Sequence, residues 1–192
     1  MNLPKQAIGL ISICLLLTGC AAAVVGGAAT GVSVAHDRRT PGTVVDDQAI
    51  ELKAYNLIGG DPALEKNTHI NVTSYNLKVL LTGEAASNAL RTKAARLVSG
   101  IPKVRQVHNY VVVAPSTSLG SRTKDTWITT KVKSGLFNIE IPDFDPTRVK
   151  VVTEAQTVFL LGLVTRQEGR AAINVARQVA DVKKVVALFE YL

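Results

Sequence analysis

The segments His69–Gly83 and Arg148–Gly162 repeat one pattern, and that repetition constrains the fold more than any other feature of the chain. In the first, Ile70 and Val72 alternate with polar Asn71 and Thr73, a tight turn follows, and Val79-Leu80-Leu81 forms a short apolar run closed by Gly83. In the second, Val158-Phe159-Leu160-Leu161 is the corresponding run, closed by Gly162. Alternation reads as a half-buried strand and a short apolar run as a central one, so each segment is a hairpin. Ala85–Ser99 and Arg166–Ala180 then have helical composition and lead into apolar third strands, Val104–Val113 and Val185–Tyr191. Ahead of the hairpins lie amphipathic helices at Asp47–Ile58 and Asp125–Phe137, each opened by an aspartate in the N-cap position. The unit is α-β-β-α-β, present twice, which sets an α+β class for the chain. Gly83 and Gly162 are expected to be structural, each permitting a bend or a positive φ before the second helix.

The N-terminus addresses location. Lys5 precedes an apolar run from Ala7 that ends in Leu17-Thr18-Gly19-Cys20. A charged start, an apolar stretch and small residues at the cut describe a secretory signal. The four residues resemble the lipobox of bacterial lipoproteins, which makes 1–19 the signal peptide and Cys20 the acylated first residue of the mature chain. Lys5–Leu17 is too short to span a bilayer, which needs about 20 apolar residues. Cys14 and Cys20 are the only cysteines, so the mature chain has no disulfide. Removing 1–19 leaves 173 of the 192 residues and lowers the net charge from +7 to +6, since Lys5 leaves with the signal. A basic balance suits an acidic surface, and outside the cytoplasm that surface is anionic lipid rather than nucleic acid. Ala21–Ala35 carries no charge and reads as a spacer, with Ala21 itself matching the outer-membrane sorting type. The expected organisation is a signal peptide (1–19), an acylated N-terminus and flexible tether (20–45), one domain over 46–113, a linker over 114–123 and a second domain over 124–192.

Hairpins ending in Gly83 or Gly162, Ala-rich helices, and Gly100-Ile-Pro-Lys-Val104 or Asp181-Val-Lys-Lys-Val185 before the last strand resemble the BON domain. Two such units behind a lipobox, with Asp125-Thr-Trp-Ile-Thr-Thr-Lys-Val132 opening the second, are similar to the dual BON-domain outer-membrane lipoproteins. The resemblance implies a three-stranded mixed sheet packed by two helices in each domain, and attachment on the periplasmic face of the outer membrane. It further implies binding of anionic phospholipid (phosphatidylglycerol or cardiolipin) through the second domain, and a part in membrane integrity at the division site.

Comparing the repeats position by position identifies a lipid-facing candidate. Aligning Asp47 with Asp125 sets Ile50, Ala54 and Ile58 opposite Ile128, Val132 and Leu136, the core stripe of each first helix. At about 100° per residue Trp127 falls outside that stripe and shares a face with Lys131, Ser134 and Asn138, flanked by Thr130 and Phe137. Asp46–Ile58 carries a net charge of −2, whereas Leu119–Asn138 carries +3. Tryptophan favours the bilayer interface, and each cation near an anionic leaflet contributes roughly 1 kcal/mol. Trp127, Thr130, Lys131, Lys133, Ser134 and Phe137 are therefore the expected lipid contacts. A protein adaptor using the same face, docked on an outer-membrane assembly factor or a cell-wall hydrolase regulator, is the alternative.

Nothing in the sequence assembles an enzyme. The mature chain has no thiol besides Cys20, and its histidines are His36, His69 and His108 without counterparts in the second repeat. Asp143-Phe-Asp145 before Pro146 reads as turn chemistry, since a calcium site needs several more oxygens. No catalytic residue, cofactor or metal is expected, and the protein is expected to be a monomer.

Overall fold

The computed structural model describes residues 37–114 and 119–192. The signal peptide, Cys20 and the spacer Ala21–Ala35 lie outside the described residues. Helix α1 (Pro41–Gly59) starts with proline in its first turn, and the Thr40 side chain caps it by accepting from the Thr43 N–H at 3.1 Å. Ile50, Ala54 and Ile58 are buried along one stripe, as the spacing demands. A short helix α2 (Pro62–Asn67), capped by Asp61, follows. Six residues carry too little periodicity to be read in advance, but α2 drives Leu64, fully buried, into the core.

Strands β1 (Thr68–Tyr75) and β2 (Lys78–Ala85) pair antiparallel. Helix α3 (Asn88–Ser99) then carries the chain back so that β3 (Gln106–Asn109) and β4 (Val112–Val113) lie parallel to β2. The second repeat follows the same plan. Helix α4 (Leu119–Leu136) begins inside the segment expected as a linker and buries Ile128, Val132 and Leu136. A 3-10 turn (Pro146–Arg148), β5 (Lys150–Glu154), β6 (Thr157–Val164), α5 (Arg166–Gln178) and β7 (Lys184–Tyr191) complete it, in the order β5-β6-β7 with β6 and β7 parallel. The fold is α+β with a small mixed sheet in each repeat. Helices cover one face of each sheet, burying Val79, Leu81 and Ala85 in the first and Val151, Val158 and Leu160 in the second.

The opposite faces pack on each other. Leu80 and Tyr75 meet Phe159 and Leu161, with Val152, Leu163, Val186 and Leu188 around them. Tyr110 sets its ring edge-on to Phe159 at 4.9 Å between centroids. Polar links ring this apolar centre: Asn71 Nδ2 donates to Glu154 Oε2 at 2.9 Å, Asn76 Nδ2 to Glu190 Oε1 at 2.8 Å, and Lys78 pairs with Glu190 at 3.1 Å.

Asp47 and Asp125 are not N-caps. Each lies within its helix and is buried, because its carboxylate clamps the hairpin turn of its own repeat. Asp47 accepts from the N–H groups of Asn76 and Leu77, both at 2.8 Å, and from Ser74 Oγ at 2.6 Å. Asp125 accepts from Ala155 N at 2.9 Å and Gln156 N at 2.8 Å. Both turns place two non-glycine residues at positive φ: 50° and 65° at Asn76 and Leu77, 47° and 64° at Ala155 and Gln156. That is the tight two-residue hairpin turn whose twist suits the flanking strands. Leu, Ala and Gln disfavour it by about 1–2 kcal/mol each, and the charged hydrogen bonds offset that strain.

The two hairpin-closing glycines differ in kind. Gly83 has φ 106°, and a Cβ there would sit 1.9 Å from the His69 carbonyl oxygen. Gly162 is required by proximity instead, since its Cβ would lie 2.7 Å from the Arg148 carbonyl oxygen. Beside Gly83 the third strand is also interrupted: the Val111 N–H turns to Asn109 Oδ1, whereas β7 runs unbroken past Gly162.

Candidate membrane-facing surface

Helix α4 supplies most of the surface. Its buried stripe faces β5 and α5, and Gly135 allows the close helix crossing, because a Cβ there would meet Val175 Cγ1 at 2.7 Å. Burying that stripe turns Trp127 outward, 44% exposed. Lys131, one turn on, holds its Nζ 5.6 Å from the indole centroid, in cation–π range. Thr130, Lys133, Ser134 and Phe137 are exposed as well, Phe137 at 70%. Thr130 and Thr126 turn their hydroxyls onto carbonyls four residues back, each at 3.0 Å. Lys124 pairs with Asp181 at 2.7 Å, while Lys131 and Lys133 are exposed.

These residues do not form one flat patch. Trp127 and Lys131 share an open face, whereas Lys133 and Phe137 turn about a third of the way round the helix into a groove of about 450 Å³. Tyr75 from the first repeat and Arg39 from the segment ahead of it form its far wall, with Leu136, Pro146, Val149, Lys150 and Val151 completing it. Sequence comparison between repeats could not find this groove, because its far wall comes from outside the second repeat.

Arg38 and Arg39 were expected within a flexible tether and are instead docked. Arg38 makes a two-pronged pair with Glu168, at 2.6 and 2.9 Å, and donates to the Leu163 carbonyl at 3.1 Å. Burial alone would raise the Glu168 pKa, but bonds from Arg38 and from the Thr165 cap hold it below the ordinary glutamate value. Arg39 bonds Asp37 and Asp47 and stacks 4.0 Å over the Tyr75 ring. Tyr75 is buried, which pushes its phenol up, and its hydroxyl bridges the repeats by accepting from Leu163 N at 3.3 Å and donating to the Arg148 carbonyl at 3.4 Å. The signal for this docking was the charged run Asp37-Arg-Arg39 directly ahead of α1, which composition alone assigns to a solvated loop.

The first repeat has an apolar display of its own. Val45, Leu52 and Tyr55 on α1 are 63%, 62% and 72% exposed, although the positions aligned with Trp127 and Phe137 are small. At the Asp143–Asp145 turn, Asp145 accepts from Thr147 N at 2.8 Å and the Asp143 carbonyl accepts from Arg148, so both are engaged in closing the turn. Among the described residues no helix is long and apolar enough to cross a membrane.

Residues 46–115 and 124–192 each match the BON domain family. The chain is 39% identical over 193 residues to the outer membrane lipoprotein DolP of Haemophilus influenzae, covering 99% of this chain and 97% of that one. It is also 39% identical over 158 residues to a 21 kDa hemolysin of Actinobacillus pleuropneumoniae, covering 81% and 79%. Among solved structures, the C-terminal domain of the type III secretion protein CdsD of Chlamydia trachomatis matches 76% of this chain and 67% of its own, at 12% identity and a TM-score of 0.29.

Proposed function

The chain belongs to the BON-domain family, and from that footing we propose that this outer-membrane lipoprotein binds anionic phospholipid through the exposed face of α4. The observation that carries the reading is Trp127, its ring outward beside the Lys131 ammonium. An indole at the headgroup level keeps its ring half buried and its N–H hydrated or bonded. On that face Lys131 adds roughly 1 kcal/mol against an anionic leaflet, which by itself is weak binding. Acylation at Cys20 would hold the domain at the surface and raise its effective concentration, so weak, lipid-selective contact suffices. In this reading the protein faces the periplasm and supports outer-membrane integrity at the division site.

Flotation of residues 37–192, which form one compact unit, with phosphatidylglycerol vesicles tests it. Flotation should be lost in Trp127→Glu, weakened by salt and absent with phosphatidylcholine. Flotation that ignores Trp127→Glu would overturn the assignment. No flotation, together with Trp127-dependent capture of a periplasmic assembly factor or hydrolase regulator, would favour the adaptor role instead.

A further inference from the structure

We propose that the groove between α4 and the first repeat seats one anionic phospholipid molecule of the leaflet, its phosphate between Lys133 and Lys150 and its proximal acyl segment against Phe137, Pro146 and Tyr75. This rests on the membrane reading above but names a second, separate contact. No carboxylate lines the groove, and its walls combine apolar surface with three cations. Arg39 is committed to Asp37 and Asp47 and serves as a fixed wall stacked on Tyr75. Lys133 has no ion pair among the described residues. Lys150 donates to Glu51 Oε1 at 2.9 Å and, at 3.5 Å, to the Ser74 carbonyl, and its side chain remains 40% exposed with a donor to spare. Ammonium groups bind phosphate as point charges without demanding a fixed geometry, which suits two flexible lysines at a rim. The apolar walls are what a bare phosphate would not need and a lipid would. A volume of about 450 Å³ falls within the range of sites for ligands of drug size. Because Tyr75 belongs to the first repeat and Arg39 to the segment docked just ahead of it, the seat exists only when the two repeats are packed together.

The pair Glu51–Lys150 gives the proposal a test of opposite sign. Glu51 competes with the ligand for Lys150, so neutralising it should strengthen binding, while Gln can still accept from the Ser74 N–H that Glu51 now holds at 2.7 Å. Residues 37–192 would be titrated with lysophosphatidylglycerol below its micellar concentration, with lysophosphatidylcholine as control, following amide shifts by NMR. Saturable one-to-one binding is expected, roughly fivefold weaker in Lys133→Ala and in Lys150→Ala, tighter in Glu51→Gln and unchanged in Trp127→Glu. Urea midpoints of the variants guard against loss of fold. Binding indifferent to Lys150→Ala and Glu51→Gln overturns the seat. Absence of monomer binding with vesicle flotation intact also overturns it while leaving the Trp127 surface standing; failure of both lipids removes the two readings together.

Discussion

Replacing Asp125 by Ala should destabilise the second repeat far more than its position on an outer helix suggests. The carboxylate is 6% exposed and holds the Ala155 and Gln156 N–H groups at 2.9 and 2.8 Å. A hydrogen bond to a charged group contributes about 1.5–3 kcal/mol, so two lost bonds amount to roughly 3–6 kcal/mol. Ala155 is exposed and its N–H can be hydrated once released, which places the expected cost near the lower end, about 3 kcal/mol. That is a large fraction of a typical domain stability of about 5–15 kcal/mol. Urea unfolding followed by circular dichroism would read it as a fall in midpoint at constant slope. Asp125→Asn, which keeps one good acceptor, should lose about half as much. If the carboxylate offsets turn strain, Gln156→Gly in the Asp125→Ala background should recover about 1 kcal/mol, because glycine adopts φ 64° without cost. A loss below 1 kcal/mol in Asp125→Ala, or no recovery from Gln156→Gly, would refute the clamp. Asp47→Ala should cost still more, since it also removes one of the two carboxylates that Arg39 bonds and the acceptor of the buried Ser74 hydroxyl.

Glu154 is half-buried between the sheets, and burial, with Glu84 and Asp125 adding to it, raises its pKa despite the bond from Asn71. An acid raised in the folded state contributes stability below its unfolded pKa and loses it as pH rises, so Glu154→Gln should raise the urea midpoint at pH 7 and have little effect near pH 4. Glu168, held low by Arg38 and Thr165 against the effect of burial, has the opposite sign. The destabilisation by Glu168→Gln should be full at pH 7 and shrink as pH falls below about 4. Gly83→Ala should be more damaging than Gly162→Ala by thermal melting, because only Gly83 combines a positive φ with the shorter approach to a carbonyl oxygen. Equal losses at the two glycines would show that the left-handed backbone at Gly83 is immaterial.

Much of the fold was legible because each repeat encodes its own local order. Alternation at Ile70 and Val72, the apolar runs of β2 and β6, and the stripes Ile50-Ala54-Ile58 and Ile128-Val132-Leu136 depend on burial of one face, and period reports burial directly. The outward setting of Trp127 follows from the same stripe. Helix starts were less legible, because an aspartate ahead of an apolar stripe reads as a cap whether it bonds its own helix or a turn about 30 residues away in sequence. Thr40-Pro41 is the true start of α1, and the two residues before it are docked rather than loose.

Alone, the order of residues determined the duplicated α-β-β-α-β plan, the core stripes and the outward tryptophan, since all three are set by spacing along a single helix or strand. Tertiary structure decided what spacing cannot express. The stacking of the two sheets through Tyr75, Leu80, Phe159 and Leu161 brings Arg39 and Tyr75 beside Lys133, Phe137 and Lys150. These side chains lie far apart in sequence and share no period, so only the packed repeats make them one groove.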